Sequence, residues 1–483
     1  NQIAFDVCCN NKADVYPYVK VTVDTTGDIV GNVEISKNAA RTDEANSALI
    51  VKNMNLTGTF VKDESCAIPV AVSGGTYSQA VDEAYLADGF KLVENSDGTH
   101  SVTSAFAAEI NGKQYATLEE AFAAAESNAT IKLLNDCYVE SYIVLKDGKA
   151  VTLDLNNHNV SFALDKYFYI KGGKLDITGK GMVYEEKPDF GPVILKGSDE
   201  DVADYSVLNV GPDVTLKGWA AVFVDQVTGK NNYGMVANVQ GTLIGAKDQS
   251  GADGSCVYVQ GTIKATEGNV PIINLNGAKL NADGSGMYLA GYAKTTVNNS
   301  QITATTCGIE IRAGELTVDG ADTLIKSTAG KFEVEANGNG ATASGAGVAV
   351  SQHTTGLPVN VKILNGKVEG YTAFAQVNPQ KNEQEAVDKI DIAIQDGTFT
   401  AINGGTEAVK AENIKNFVSG GTFDGEIDKT TVAENSKLVA NEDGTYGVVD
   451  AAVAEVNGEK YYTLAEAFNA AENNATVKLL DDC

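Results

Sequence analysis

One block of this chain is written twice. "SGGTYSQAVDEAYLADGFKLVENSDGTHSV" at Ser73–Val102 returns as "SGGTFDGEIDKTTVAENSKLVANEDGTYGV" at Ser419–Val448. Close behind it, "AAEINGKQYATLEEAFAAAESNATIKLLNDC", ending at Cys137, returns as "VAEVNGEKYYTLAEAFNAAENNATVKLLDDC", ending at Cys483. The offset is 346 residues throughout, no gap is needed, and more than half of the 65 aligned positions are identical. Such a duplication restricts the fold to one assembled from modules, because the same residues specify the same local structure wherever they recur. At 483 residues there is room for two or more domains and a large core.

The repeated block has legible local chemistry. Thr117 followed by Glu120, and Thr463 followed by Glu466, fit a capping box that satisfies the orphan amides of a helix start. Leu118, Ala121, Phe122 and Ala125 then fall at helical spacing and form one apolar face. "SNAT" and "NNAT" break the helix, and "IKLL" or "VKLL" reads as a strand. The expected element is a short amphipathic lid over an open end of a core. "NSDGT" and "NEDGT" are turn sequences with a glycine where positive φ is wanted. Calcium binding by their aspartates is the sharper alternative, and no other cofactor is expected.

Between the repeats, from about Tyr138 to Val418, short β-branched strands alternate with Gly and Asn turns. "CVYVQGTIKATEG", "VPIINLNGAKLNADGSG", "MYLAGYAKTTVNNSQITATTC" and "GIEIRAGELTVDGAD" follow one another at steps of roughly 15 to 22 residues, led by Val257, Ile272, Met287 and Ile309. A near-constant step argues for a solenoid of parallel coils, with Val, Ile, Leu and Ala inward and Thr, Asn, Lys and Asp outward. Abundant glycine and only eight prolines suit tight corners in such a stack.

Composition narrows the function. Against 64 acidic residues stand 36 basic ones, a formal net charge of −28 that repels nucleic acid and anionic membranes. No apolar run approaches the roughly 18 residues of a membrane span. Seven cysteines, Cys8, Cys9, Cys66, Cys137, Cys256, Cys307 and Cys483, show no zinc spacing, and the vicinal Cys8–Cys9 pair is expected to find partners elsewhere. For catalysis the inventory is thin: two arginines, Arg41 and Arg312, and three histidines, His100, His158 and His353. His158 in "NNHN" and His353 in "SQHTTG" read as solvated loop residues, and the acids of "GSDEDVAD" at Gly197–Asp204 read as a solvated loop. The common nucleotide, zinc-protease and serine-hydrolase motifs are absent, so the chain is expected not to be an enzyme.

The order "NGxxYxTLxEAxxAA…NAT[IV]KLL", "VTLDLNNHNV", glycine-rich coils, "VSGGTF" and "NEDGTY" resembles right-handed parallel β-helix modules of large secreted or surface proteins of gut clostridia and related bacteria. The resemblance covers nearly the whole chain. It implies an all-β, right-handed parallel β-helix (solenoid) with short amphipathic capping helices, and a secreted or cell-surface location. It implies no particular activity.

Within that frame, residues 1–106 read as the rear of a module without its own cap. Residues 107–450 read as a complete module, and 451–483 as the cap of a following one. "VKVTVD" at Val19–Asp24 resembles "AVTLDL" at Ala150–Leu155, the first coil after the internal cap. Two readings fit: a slice of a longer covalent array, or head-to-tail assembly of copies of this chain. Assembly is the preferred expectation, giving a structural subunit of a bacterial fibre. Its interface is expected to join Thr463, Leu464, Glu466, Phe468, Val477, Leu479, Leu480 and Cys483 to Ile3, Phe5, Val7, Cys8 and Cys9 of the next copy, with a bridge from Cys483 to Cys8 or Cys9. The alternative is a surface adhesin for host or cell-surface glycans. Its signal would be aromatics lining one face, from among Tyr167, Phe168, Tyr169, Trp219, Tyr258, Tyr288 and Tyr292. Only Tyr258 and Tyr288 occupy clearly equivalent positions, so packing at the core or at corners is expected for the set.

Overall fold

A computed structural model describes residues 2–9, 15–42, 44–197, 205–225, 234–261, 263, 270–338 and 340–481. It is an all-β protein dominated by long stacks of parallel strands. Two compact units are present, one of residues 1–123 with 133–136, the other of 124–132 with 137–483. Among the described residues no helix is long and apolar enough to cross a membrane.

In the larger unit the chain visits three sheets in rotation. The first stack runs from Ala129–Leu133 to Ile390–Ile394, the second from Cys137–Val139 to Gly421–Asp424, and the third from Ile143–Lys146 to Glu426–Ile427. Every neighbouring pair along these stacks is parallel, as between Ala150–Asp154 and Lys174–Thr178. Alternation sends every second side chain inward. Ile131, Leu153, Ile177, Val210, Val239, Leu275, Val297, Val318, Ile363 and Ile394 stand in register as one buried aliphatic file. The inward Val/Ile/Leu and outward Thr/Asn/Lys pattern is as expected from sequence.

The step is not. One turn takes three strands, and its length varies from 21 residues, between Val297 and Val318, to 45, between Val318 and Ile363. Of the quoted sequence units only Met287–Cys307 spans all three strands of a turn; the others caught part of one. Val257, Met287 and Ile309 do succeed one another in the third sheet, but Ile272 belongs to the first sheet and faces outward, aligned with Val236 and Lys294. An apolar residue at a strand start marks a strand, not a coil.

Outside the first sheet, Asp176, Asn209, Asn238 and Asn274 are in register. Each amide donates to the residue before it: Asn209 to the Asp176 carboxylate, Asn238 to Asn209 Oδ1 at 2.8 Å, and Asn274 to Asn238 Oδ1 at 2.8 Å. Such a ladder is satisfied only when the strands keep register. Asn238→Ala removes one donor and one acceptor from its middle. It is expected to cost about 1–2 kcal/mol of local stability, read by hydrogen exchange in Ser206–Val210 and Ile272–Asn276. An unchanged exchange rate would show that solvent replaces the ladder at no cost.

The second sheet stops in an antiparallel hairpin, Ser436–Ala440 with Tyr446–Asp450, laid against Gly421–Asp424. The smaller unit repeats this ending. Thr76–Tyr77 receives His100–Ser104, which pairs with Phe90–Glu94. An antiparallel hairpin on the last parallel strand covers an edge that would otherwise template further pairing. The turn chemistry is as read from sequence: the Asp97 and Asp443 carboxylates each accept from the following threonine's amide and hydroxyl, with Gly98 and Gly444 at φ of 81° and 89°. The core of the smaller unit gathers Val7, Val33, Ile35, Leu49, Val51, Met54, Ile68, Val72 and Tyr77.

Candidate functional site

The duplicated cap shows one sequence in two situations. Helices α1 (Leu118–Ala124) and α2 (Leu464–Ala470) both begin on the expected threonine. Glu120 N–H donates to Thr117 Oγ1 at 3.1 Å, and Glu466 N–H to Thr463 Oγ1 at 3.2 Å. The Glu466 side chain returns the bond to the Thr463 amide, which completes the box. Asn128 and Asn474 then turn the chain at φ of 68° and 69°.

Exposure separates the copies. Leu118, Phe122 and Leu133 are buried, at 1%, 6% and 0% exposed. Their counterparts are Leu464, half-buried, Phe468, 64% exposed, and Leu479, 61% exposed. Strand Ala129–Leu133 holds Ala150–Asp154 in parallel along one edge. The counterpart strand Val477–Leu479 pairs, among the described residues, with Ala454–Val456 alone. Leu480 is exposed, Val477 half-buried, and Cys483 lies outside the described residues. Only Ala467 of α2 is buried, against Ala454 and Val456.

In the smaller unit, strands Ile3–Cys9 and Lys20–Val30 are the outermost of their sheets. Strand alternation divides the predicted residues between two faces. Val7 and Cys9 are buried, Phe5 is half-buried, and Ile3 and Cys8 are exposed. The expectation that both vicinal cysteines seek partners is corrected here, since Cys9 is free, interior and within 3.0 Å of the Ser47 hydroxyl. Cys66, Cys137, Cys256 and Cys307 are likewise free and buried. On Lys20–Val30, Val21 and Val23 are half-buried, packed on the unit's core.

A second surface was not legible as such. On the outward side of the third sheet, Tyr169, Ile194, Phe223, Tyr258, Tyr288 and Glu310 follow one another in register. Rings from adjoining loops extend this row. Tyr142, Tyr167, Phe190, Phe223, Tyr258 and Tyr288 pass from ring to ring at centroid distances of 4.7 to 6.3 Å. Tyr142 and Phe190 are exposed, while Tyr167, Trp219 and Tyr258 are half-buried. The expected core or corner placement is thus corrected for Tyr167, Tyr169, Trp219 and Tyr258, which form an apolar cluster on the outer face with Phe223; Phe168 faces the core, Tyr292 is buried at a corner, and Tyr288 is buried on the outward row. Sequence spacing could not align Tyr169 or Phe223 with Tyr258, because long loops of unequal length separate them.

The row ends in a cavity of about 390 Å3 between Trp219, Tyr258 and Tyr288 on one side and Asp253, Glu333 and Glu335 on another. Ser255, Ser285, Thr306 and Thr342 add hydroxyls, and among the described residues no Lys or Arg lines it. The Trp219 Nε1–H is buried and has no hydrogen-bond partner among the described residues. The segment that closes one wall is pinned by buried charge. Arg312, fully buried, donates to Tyr288 Oη, Gly340 O and Asn337 O, each at 2.7 Å. Glu310, also fully buried, accepts from Thr342 N at 3.0 Å, from the Thr342 hydroxyl, and from Ser351 Oγ at 2.6 Å. Burial pushes the Glu310 carboxyl above its usual value, although Ser351, Thr342 and Arg312 oppose it.

His353 is not a solvated loop residue. It is 7% exposed, and its Nε2 lies 2.9 Å from Gly338 O, which places the proton on Nε2. Burial, with Arg312 nearby, lowers its pKa. The other arginine, Arg41, is also buried and donates to the Tyr16 and Pro17 carbonyls at 3.0 and 2.7 Å. Both arginines therefore hold loops. Of the "GSDEDVAD" acids, residues 198–204 lie outside the described residues. No family model, curated protein or solved structure matches this chain.

Proposed function

We propose that this chain is a structural subunit of an extracellular or cell-surface bacterial fibre, built of right-handed parallel β-helix modules and joined head to tail. The observation that carries the reading is the pair of caps. One copy holds a parallel strand on its edge and buries its leucines and phenylalanine. The other leaves the same edge unpaired among the described residues, with Phe468 and Leu479 exposed and Leu464 half-buried. Phe468 and Leu479, at 64% and 61%, are the most exposed large apolar side chains among the described residues, an arrangement that favours a partner.

The internal cap also supplies a register. Ala129, Thr130, Ile131 and Lys132 face Val151, Thr152, Leu153 and Asp154. By the duplication and the "VTVD"/"VTLD" likeness, Ala475, Thr476, Val477 and Lys478 of one copy face Val21, Thr22, Val23 and Asp24 of the next. Strand addition then sets Lys478 beside Asp24, as Lys132 sits beside Asp154. In this reading the contact is heterologous, and repetition of it makes a filament. No catalysis is assigned, and the acidic surface keeps neighbouring fibres apart.

The test is negative-stain microscopy of the intact chain, of a form lacking Ala451–Cys483, and of Phe468→Asp. Filaments from the intact chain alone support the reading. Phe468 is exposed, so its substitution is expected to spare the fold. Thr22→Cys with Thr476→Cys, both at exposed positions, is expected to give disulfide-linked multimers if the register is right. Monomers from all three forms would end the assembly reading.

A further inference from the structure

The aromatic row on the third sheet is a repeating feature that neither the core nor the assembly contact uses. Six rings advance one per strand, over about 24 Å at the usual spacing of parallel strands. A face that repeats in this way matches a ligand that repeats. Pyranose rings present apolar C–H faces to aromatic rings, and their linear polymers advance by a step close to the strand spacing. The cavity at the end of the row contributes the polar half of such recognition. Carboxylates of Asp253, Glu333 and Glu335 accept from sugar hydroxyls, and the Trp219 ring forms part of the wall beside them.

Charge selects among saccharides. Among the described residues no basic side chain lines the cavity and three acids do, with Lys247 and Lys331 paired from outside to Asp253 and Glu333. Glu335 leaves the balance negative, so a polyuronate would meet net repulsion there, in a chain whose formal net charge is −28. We propose that this face binds a linear, uncharged polysaccharide, with sugar rings stacked on Tyr142, Tyr167, Phe190 and Tyr258 and one unit seated in the cavity beside Trp219. The binding is independent of end-to-end assembly, since none of these residues belongs to the cap or to the N-terminal strands.

Trp219 is the only tryptophan in the sequence, so its emission reports on this cavity without labelling. The probes are soluble hexasaccharides of β-linked glucose, mannose, xylose and N-acetylglucosamine, with polygalacturonate as the charged comparison. A saturable change in Trp219 emission, with matching heat in titration calorimetry, is expected for at least one uncharged hexasaccharide. Tyr258→Ala is expected to weaken it about tenfold, and Tyr258→Phe to keep it, since the ring and not the hydroxyl makes the contact. Tyr142→Ala lies at an exposed position and does not threaten the fold; it is expected to weaken the hexasaccharide but not the disaccharide. Three results would overturn the proposal: no response to any uncharged sugar at millimolar concentration, tighter binding of polygalacturonate, or full affinity in a folded Tyr258→Ala protein.

Discussion

Phe423→Ala is expected to loosen the end of the larger stack by about 3–5 kcal/mol, the usual cost of emptying a fully buried phenylalanine site. Phe423 lies on the last parallel strand of the second sheet, in register with Phe399. Their rings are stacked at 5.1 Å and 14°. On its other side the same strand holds the closing hairpin, with Phe423 opposite Tyr446. A cavity there removes support from both neighbours. The loss should appear in hydrogen exchange over Gly421–Asp450, because a long array does not unfold in one step and a single melting curve would blur it. Phe399→Ala combined with Phe423→Ala should cost less than the sum, since the two share one stack.

The duplication supplies a control within the chain. Tyr77 stands where Phe423 stands, buried, and its hydroxyl donates to Gly74 O at 2.7 Å. Gly75, between them, takes φ of 109°, and a Cβ there would meet Met54 O at 2.3 Å. Gly420 and Gly421 recur in the other copy, with Gly421 at φ of 107°. Phe423→Tyr therefore finds a carbonyl already in place at Gly420 and is expected to cost under about 1 kcal/mol. If alanine and tyrosine prove equally costly, the pocket is set by something other than the repeated loop.

What the sequence made legible was local chemistry that acts over a few residues. Thr463 with Glu466, Asp443 with Gly444, and Asn474 at the helix end are all found in the predicted roles. So is the in-and-out alternation, because it has period two and needs no partner to be read. What stayed hidden depends on which distant strands are neighbours. Tyr169, Phe223, Tyr258 and Tyr288 are separated by loops of different lengths, and only strand pairing reveals that they form one row. The burial of His353 and Arg312 had the same cause. Each follows a strand, Ile309–Ile311 or Ala346–Val350, where composition suggests solvent, and each is bonded to a carbonyl of Asn337, Gly338 or Gly340. The exposed face of α2 was read correctly as apolar, but its difference from α1 is a property of surroundings and not of residues.

The buried Arg312 carries the second large effect. Arg312→Leu strands the Asn337 and Gly340 carbonyls and the Tyr288 hydroxyl, and takes a cation from the neighbourhood of the buried Glu310. Removing one charge of such a buried set is expected to cost about 3–5 kcal/mol locally. Trp219 lines the same cavity as Tyr288 and Thr342, so its emission during urea titration reads the event. The pH dependence gives the cause. Glu310 is raised in the folded protein, so its contribution is full below the unfolded carboxyl value and is lost as pH rises through the folded one. Without Arg312 the folded value rises further, and the loss at high pH deepens. His353 acts in the same sense. Its lowered pKa makes the fold lose stability as pH drops below the usual histidine value, and removing Arg312 relaxes that shift. The deficit of Arg312→Leu should therefore be larger at pH 8 than at pH 5. Glu310→Gln in the same background should remove the carboxyl share of that difference and leave the smaller histidine share. A deficit that is flat with pH in both backgrounds would mean that Arg312 acts only through its hydrogen bonds, and that its charge does nothing for Glu310.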